Sequence, residues 1–77
     1  MISDAVIGEI AEHLNISVND ISIDSSFEDI GLNGIDLMEI IGKLEDRFIW
    51  LYIPESVWLE WDNVSQIINF IHNEYIS

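Results

Sequence analysis

Residues 27–48 read FEDIGLNGIDLMEIIGKLEDRF, and the fold turns on the Asn33-Gly34 pair at the centre. Asn-Gly between apolar residues is among the strongest short-range signals for a β-hairpin. Ile30, Leu32, Ile35 and Leu37 even supply the alternation of two strands. The residues that follow decide against it. Leu37, Ile40, Ile41, Leu44 and Phe48 fall at i, i+3, i+4, i+7 and i+11, a helical stripe, whereas strand alternation already breaks at Ile40-Ile41. Asn33 is then a good helix N-cap, and Asp36 lies near the positive end of the helix dipole. Asn33-Gly34 opens a helix.

Working outward, residues 4–14 place Val6, Ile7, Ile10, Ala11 and Leu14 on one helical face, with Ser3 as N-cap and Asn15 as the stop. Residues 16–32 carry spaced apolar anchors (Ile16, Val18, Ile21, Ile23, Phe27, Ile30) among Asp, Asn and Ser. That pattern predicts a long loop pinned to a core, with a short helical turn around Val18 to Ile21; ordered loops of this length tend to be functional or characteristic of a family. IWLYI (49–53) is an unbroken apolar run closed by Pro54, which starts a short helix through about Glu60 carrying Val57, Trp58 and Trp61. Asn63 with Gln66 forms a capping-box-like pair before a last helix that turns Val64, Ile67, Ile68 and Ile71 inward. The expectation is one all-α domain, residues 1–77: a four-helix bundle with a long first loop and a short third helix.

Seventy-seven residues lie near the size at which a single core is only marginally sufficient, and there is no cysteine to staple it. Packing must hold the chain, and an apolar fraction of 49% supplies the means. No apolar run approaches the ~20 residues of a membrane span, and no signal-peptide pattern opens the chain, so the expected setting is cytoplasmic. Fifteen acidic residues against two basic ones give a net charge of −13, the wrong sign for a nucleic-acid binder. Basic protein surfaces or divalent cations are the expected partners, and acidity also keeps an isoleucine-rich chain in solution.

FEDIGLNGIDLMEIIGKLEDRF followed by Ile53-Pro54 resembles the acyl carrier protein family across nearly the whole chain. Members commonly read F-x-D-[LI]-G-x-D-S-[LI]-D-x-x-E-[LI] here. Phe27, Asp29, Ile30, Gly31, Ile35, Asp36, Glu39, Ile40, Leu44, Glu45, Phe48, Ile53 and Pro54 match that pattern and its continuation. In the family the serine of this motif carries a 4′-phosphopantetheine arm whose thiol holds acyl groups as thioesters. Here the aspartate position is Asn33 and the serine position is Gly34, which has no nucleophile, so no cofactor is expected at that residue. No Ser or Thr occurs from Phe27 through Glu55, and Ser25 and Ser26 lie eight or more residues upstream, where turn and cap bonding is their ordinary role.

The resemblance implies that the second helix meets partner enzymes, through Ile35, Asp36, Met38, Glu39, Lys43, Glu45, Asp46 and Arg47, with Trp50 beyond them. Lys43 and Arg47, the chain's only basic residues, interrupt that acidic face, and Glu39 stands at the right spacing to pair with Lys43. The run 49–53 either fills the core or forms an exposed patch for a partner or for weak self-association; Trp50 is expected outward and Trp58 inward.

No catalytic constellation stands out, and an enzyme is not expected. Asp20, Ser22 and Asp24 have the spacing of an EF-hand loop, but Ser25 replaces its glycine and Gly31 its final glutamate, so that reading fails. His13 and His72 read as polar-face helix residues. Three functions follow: a docking module near fatty-acid or polyketide-type acyl-transfer machinery that cannot be loaded; a genuine carrier whose serine was replaced at Gly34; or an acidic ion-binding or decoy protein sharing the bundle.

Overall fold

The computed structural model describes residues 1–76 and contains four α-helices: α1 (Ile2–Leu14), α2 (Gly34–Arg47), α3 (Glu55–Trp58) and α4 (Val64–Ile76). The all-α bundle with a long first loop and a short third helix is the observed architecture. α1 packs against both α2 and α4. The centre is made of Val6 and Ile10 from α1, Leu37, Ile40, Ile41 and Leu44 from α2, and Val64, Ile67 and Ile71 from α4, all buried. These are the residues of the three helical stripes. Among the described residues no helix is long and apolar enough to cross a membrane.

α1 begins earlier than its sequence signals indicate. Met1, not Ser3, is the N-cap, and it makes no side-chain cap bond. Ile2 packs against the core, so apolar contact extends the helix past the residue whose side chain favours a cap. The end is as expected: Asn15 is left-handed (φ 57°, ψ 46°), and Ile16 N–H donates to Ala11 O at 3.0 Å, closing the last turn.

The loop from residue 16 to 33 is held at both ends. A 3-10 turn, Val18–Asp20, is capped by Ser17 Oγ, which accepts from Asn19 N–H at 3.1 Å. Ile21, Phe27 and Leu32 are buried, but Val18 and Ile23 are about half exposed (52% and 51%) and are not the anchors their hydrophobicity implies. The reason is local. Ser22 and Ser25 knit residues 22–25 into a tight turn, with Ser22 N–H donating to Ser25 Oγ at 2.9 Å, and that turn carries Ile23 at the surface. Two backbone bonds, Phe27 N–H to Asp62 O (2.8 Å) and Val64 N–H to Ser25 O (3.0 Å), fasten the loop to the start of α4. Gly31 takes φ +75°, which lets Leu32 N–H turn back to Phe27 O at 2.8 Å.

Between α2 and α3 the run 49–53 opens with a turn, Leu51 N–H donating to Phe48 O at 2.7 Å, and only its second half alternates. Leu51 and Ile53 are buried while Ile49 and Tyr52 are exposed. Pro54 is the N-cap of α3 rather than a residue of its first turn, and the helix ends at Trp58, short of Glu60. Beyond it Glu60 N–H and Trp61 N–H bond three residues back, to Val57 O and Trp58 O, so the chain tightens instead of continuing. The predicted box before α4 is present: Gln66 Oε1 accepts from Asn63 N–H (3.0 Å), and Asn63 Oδ1 accepts from Gln66 N–H (3.1 Å).

Candidate functional site

Gly34 is the first residue of α2, and its neighbours build a complete helix start around it. Asn33 is extended (φ −95°, ψ 179°); its Oδ1 accepts from Asp36 N–H at 2.8 Å, and Asp36 Oδ2 accepts from Asn33 N–H at 3.1 Å. This reciprocal box satisfies two of the amide groups a helix N-terminus leaves open. The Asn33 N–H bond, seconded by His13, holds the Asp36 carboxyl below its ordinary value of 3.8. A Cβ placed on Gly34 meets nothing within 4 Å, so the site has room for a side chain that the sequence does not supply.

Beside Gly34 opens a cleft of about 460 Å³ between the first loop, α2 and the α3–α4 connection. Phe27, Leu32, Leu37, Trp58 and Trp61 give it apolar walls, and the exposed carboxylates of Asp24, Glu28 and Asp62 line it too. Trp58 is buried, as expected, and Trp61 is half-buried with its ring edge-on to Phe70 at 5.7 Å. Ser26 also lines the cleft, with its Oγ accepting from Asp29 N–H at 3.1 Å; Ser25 Oγ is taken by the Ser22 turn.

The residues expected to meet partners divide into two sets. Ile35 (66% exposed), Met38, Glu39 and Asp46 stand at the surface of α2. Asp36, Lys43, Glu45 and Arg47 have work inside the molecule. Glu45 Oε2 accepts from Ile53 N–H at 2.9 Å and so ties down the run after α2. Arg47 Nη1 reaches Glu9 Oε1 on α1 at 3.2 Å. Lys43 Nζ lies 3.4 Å from His13 Nδ1 on α1 rather than forming the expected pair with Glu39. The two basic side chains bridge helices, Lys43 to His13 and Arg47 to Glu9. His13 departs from its expectation as well. Its side chain is only 12% exposed, and Nε2 lies 3.0 Å from Asp36 Oδ1. The signal was present: His13 is three residues after Ile10 and seven after Val6, inside the inward stripe of α1. His72 is exposed.

At the other end of α2 the aromatic run makes a ladder. Phe48 and Trp50 lie 5.7 Å apart and Trp50 and Tyr75 5.8 Å, both pairs tilted. Trp50 is 47% exposed, and Ile49, Tyr52 and Tyr75 more so, so this is a surface patch and not core filling. Tyr75, 25 residues away in sequence, is a member that local pattern could not supply. Among the described residues no group of three or more His, Asp or Glu side chains is placed to hold a metal ion.

The profile of the family described as "Phosphopantetheine attachment site" matches residues 4–71. An acyl carrier protein of Sulfurovum sp. is 34% identical over 65 residues, covering 83% of this chain and 85% of that protein. The acyl carrier protein of Clostridium acetobutylicum is 31% identical over 72 residues, 92% of each. The chain is also similar to part of a non-reducing polyketide synthase, terA, of Aspergillus terreus: 27% identical over 70 residues, which is 91% of this chain but 3% of the synthase.

Proposed function

The chain belongs to the acyl carrier protein family, and we propose that within it this protein is a docking module that carries no phosphopantetheine arm at the family position. One observation carries the proposal: residue 34, the first of α2, is glycine. The family's cofactor is bonded through a serine hydroxyl, which attacks as the nucleophile; glycine offers none. The residues present therefore do not fit the group, although the helix start around them is complete. Ser26 is the hydroxyl that shares the cleft; it lies in the first loop, and its oxygen accepts from Asp29 N–H there.

What such a module does is bind. Net charge −13 steers it toward basic protein surfaces, and the acidic cleft with the exposed Ile35, Met38 and Glu39 is the face offered at the α2 start, with exposed Asp46 near the far end of the helix. The proposed partners are acyl-transfer or synthase enzymes of fatty-acid or polyketide type. The patch of Ile49, Trp50, Tyr52 and Tyr75 is a second contact surface, for a partner or for weak self-association.

The test is incubation with coenzyme A and a broad-specificity phosphopantetheinyl transferase, followed by intact mass. No gain is expected. A gain of one phosphopantetheine mapped to Ser25 or Ser26 would return the protein to the loaded carriers. A carrier whose serine was replaced has the same geometry, since a side chain at position 34 meets open space; a serine codon there in the native gene would establish that reading instead.

A further inference from the structure

The seam between α1 and α2 holds a line of polar groups that the docking role does not use. Lys43 Nζ lies 3.4 Å from His13 Nδ1, and His13 Nε2 lies 3.0 Å from Asp36 Oδ1. An ammonium only donates, so Nδ1 is the acceptor at that contact. The neutral ring therefore carries its proton on Nε2 and donates it to Asp36. Asp36 Oδ2 in turn accepts from Asn33 N–H. The line runs from the middle of α2 across to α1 and back to the residue that caps α2.

We propose that His13 is a proton-operated switch for Lys43: the neutral imidazole holds the Lys43 ammonium at the α1–α2 seam, and protonation of Nδ1 releases it. The added proton removes the acceptor and sets two like charges 3.4 Å apart. The imidazolium meanwhile keeps Asp36 as a charged partner and has Glu39 Oε2 at 4.0 Å. The helices stay joined while Lys43 leaves. The charged groups facing His13 from α2 are these three: Asp36 and Glu39 favour the cation, and Lys43 opposes it. On α1 itself, Glu9 one turn earlier is engaged by Arg47, and the adjacent Glu12 is exposed.

Histidine is the side chain whose ordinary chemistry suits it to a proton-operated switch. Released Lys43 can reach Glu39, one turn back on the face that carries Ile35 and Met38. Moving one of only two cations on a chain of net charge −13 makes that face less attractive to a basic partner at low pH. This last consequence rests on the proposed docking role. The switch does not, and its failure would leave the loading test untouched.

Nitrogen-detected NMR of the full chain through a pH titration tests it. In the neutral ring the His13 proton is expected on Nε2, and the Lys43 Nζ resonance is expected to move with the His13 midpoint, while titration of exposed His72 leaves Lys43 unmoved. Lys43→Met should shift the His13 midpoint to higher pH, and Asp36→Asn to lower pH. A neutral ring protonated on Nδ1, a Lys43 resonance indifferent to His13, or a midpoint unmoved in Lys43→Met would each overturn the proposal.

Discussion

The two ends of α2 solve opposite problems with residues of similar hydrophobicity. At the N-terminal end, Asn33 and Asp36 satisfy the open amides, His13 pins the box to α1, and Trp58 is buried beside the cleft. At the C-terminal end, Phe48 caps the helix in an extended conformation, and the chain then leaves Ile49, Trp50 and Tyr52 in solvent. The first end has its capping bonds made on both sides, yet residue 34 has no side chain to present. The second exposes the adjoining apolar side chains of Ile49, Trp50, Tyr52 and Tyr75. Fully burying a large apolar side chain is worth roughly 1.5–3 kcal/mol, so an exposed cluster forgoes a stabilisation that a contact surface can recover on binding.

The two tryptophans give the largest contrast. Trp58→Ala should cost about 3–5 kcal/mol in urea unfolding, the usual loss for a buried aromatic. Trp50→Ala should cost under about 1 kcal/mol and should weaken any concentration-dependent association seen by sedimentation. Comparable losses at the two positions, with association unchanged, would make the aromatic end core and remove the second contact surface.

Next comes the helix start. Asn33→Ala should destabilise by about 1 kcal/mol through loss of the cap. The two nearby glycines should then separate. Gly31→Ala forces a side chain to φ +75° and should cost about 1–2 kcal/mol. Gly34→Ala sits in helical backbone with open space and should be neutral or stabilise by about 0.4–1 kcal/mol. A large loss at Gly34 would mean that glycine is held there by a backbone requirement, not merely by want of a hydroxyl.

The smallest effect is in pH. Asp36 has its folded value lowered from 3.8, so its contribution is full above that value and is lost as pH falls through the lower folded value. The stability difference between the protein and Asp36→Asn should shrink in that acid window. A difference that persisted there would mean the carboxylate charge is not what stabilises the box.

How much of this was legible in the sequence follows from the range of the interactions. The stripes of α1, α2 and α4 and the boxes at Asn33 and Asn63 depend on residues three or four apart, so they could be read directly. The early start of α1 could not, because Ile2 is held by tertiary contact against the preference of Ser3. Val18 and Ile23 misled because turn hydrogen bonding, not hydrophobicity, set their exposure. Lys43 and Arg47 looked like surface charges because their partners His13 and Glu9 lie 30 and 38 residues away. Leu51 and Ile53 are buried and Tyr52 between them is exposed, but the apolar run hides the turn that puts both Ile49 and Trp50 in solvent.

Asn33 and Asp36 build the helix start at the family position, and residue 34 offers no hydroxyl there. Treating the protein and its Gly34→Ser variant side by side with coenzyme A and the same transferase tests that most directly. No mass gain is expected for the protein, and a gain of one phosphopantetheine at position 34 in the variant, because the helix start that would present the hydroxyl is already built. A gain on the unaltered chain, or none on the variant, would contradict it.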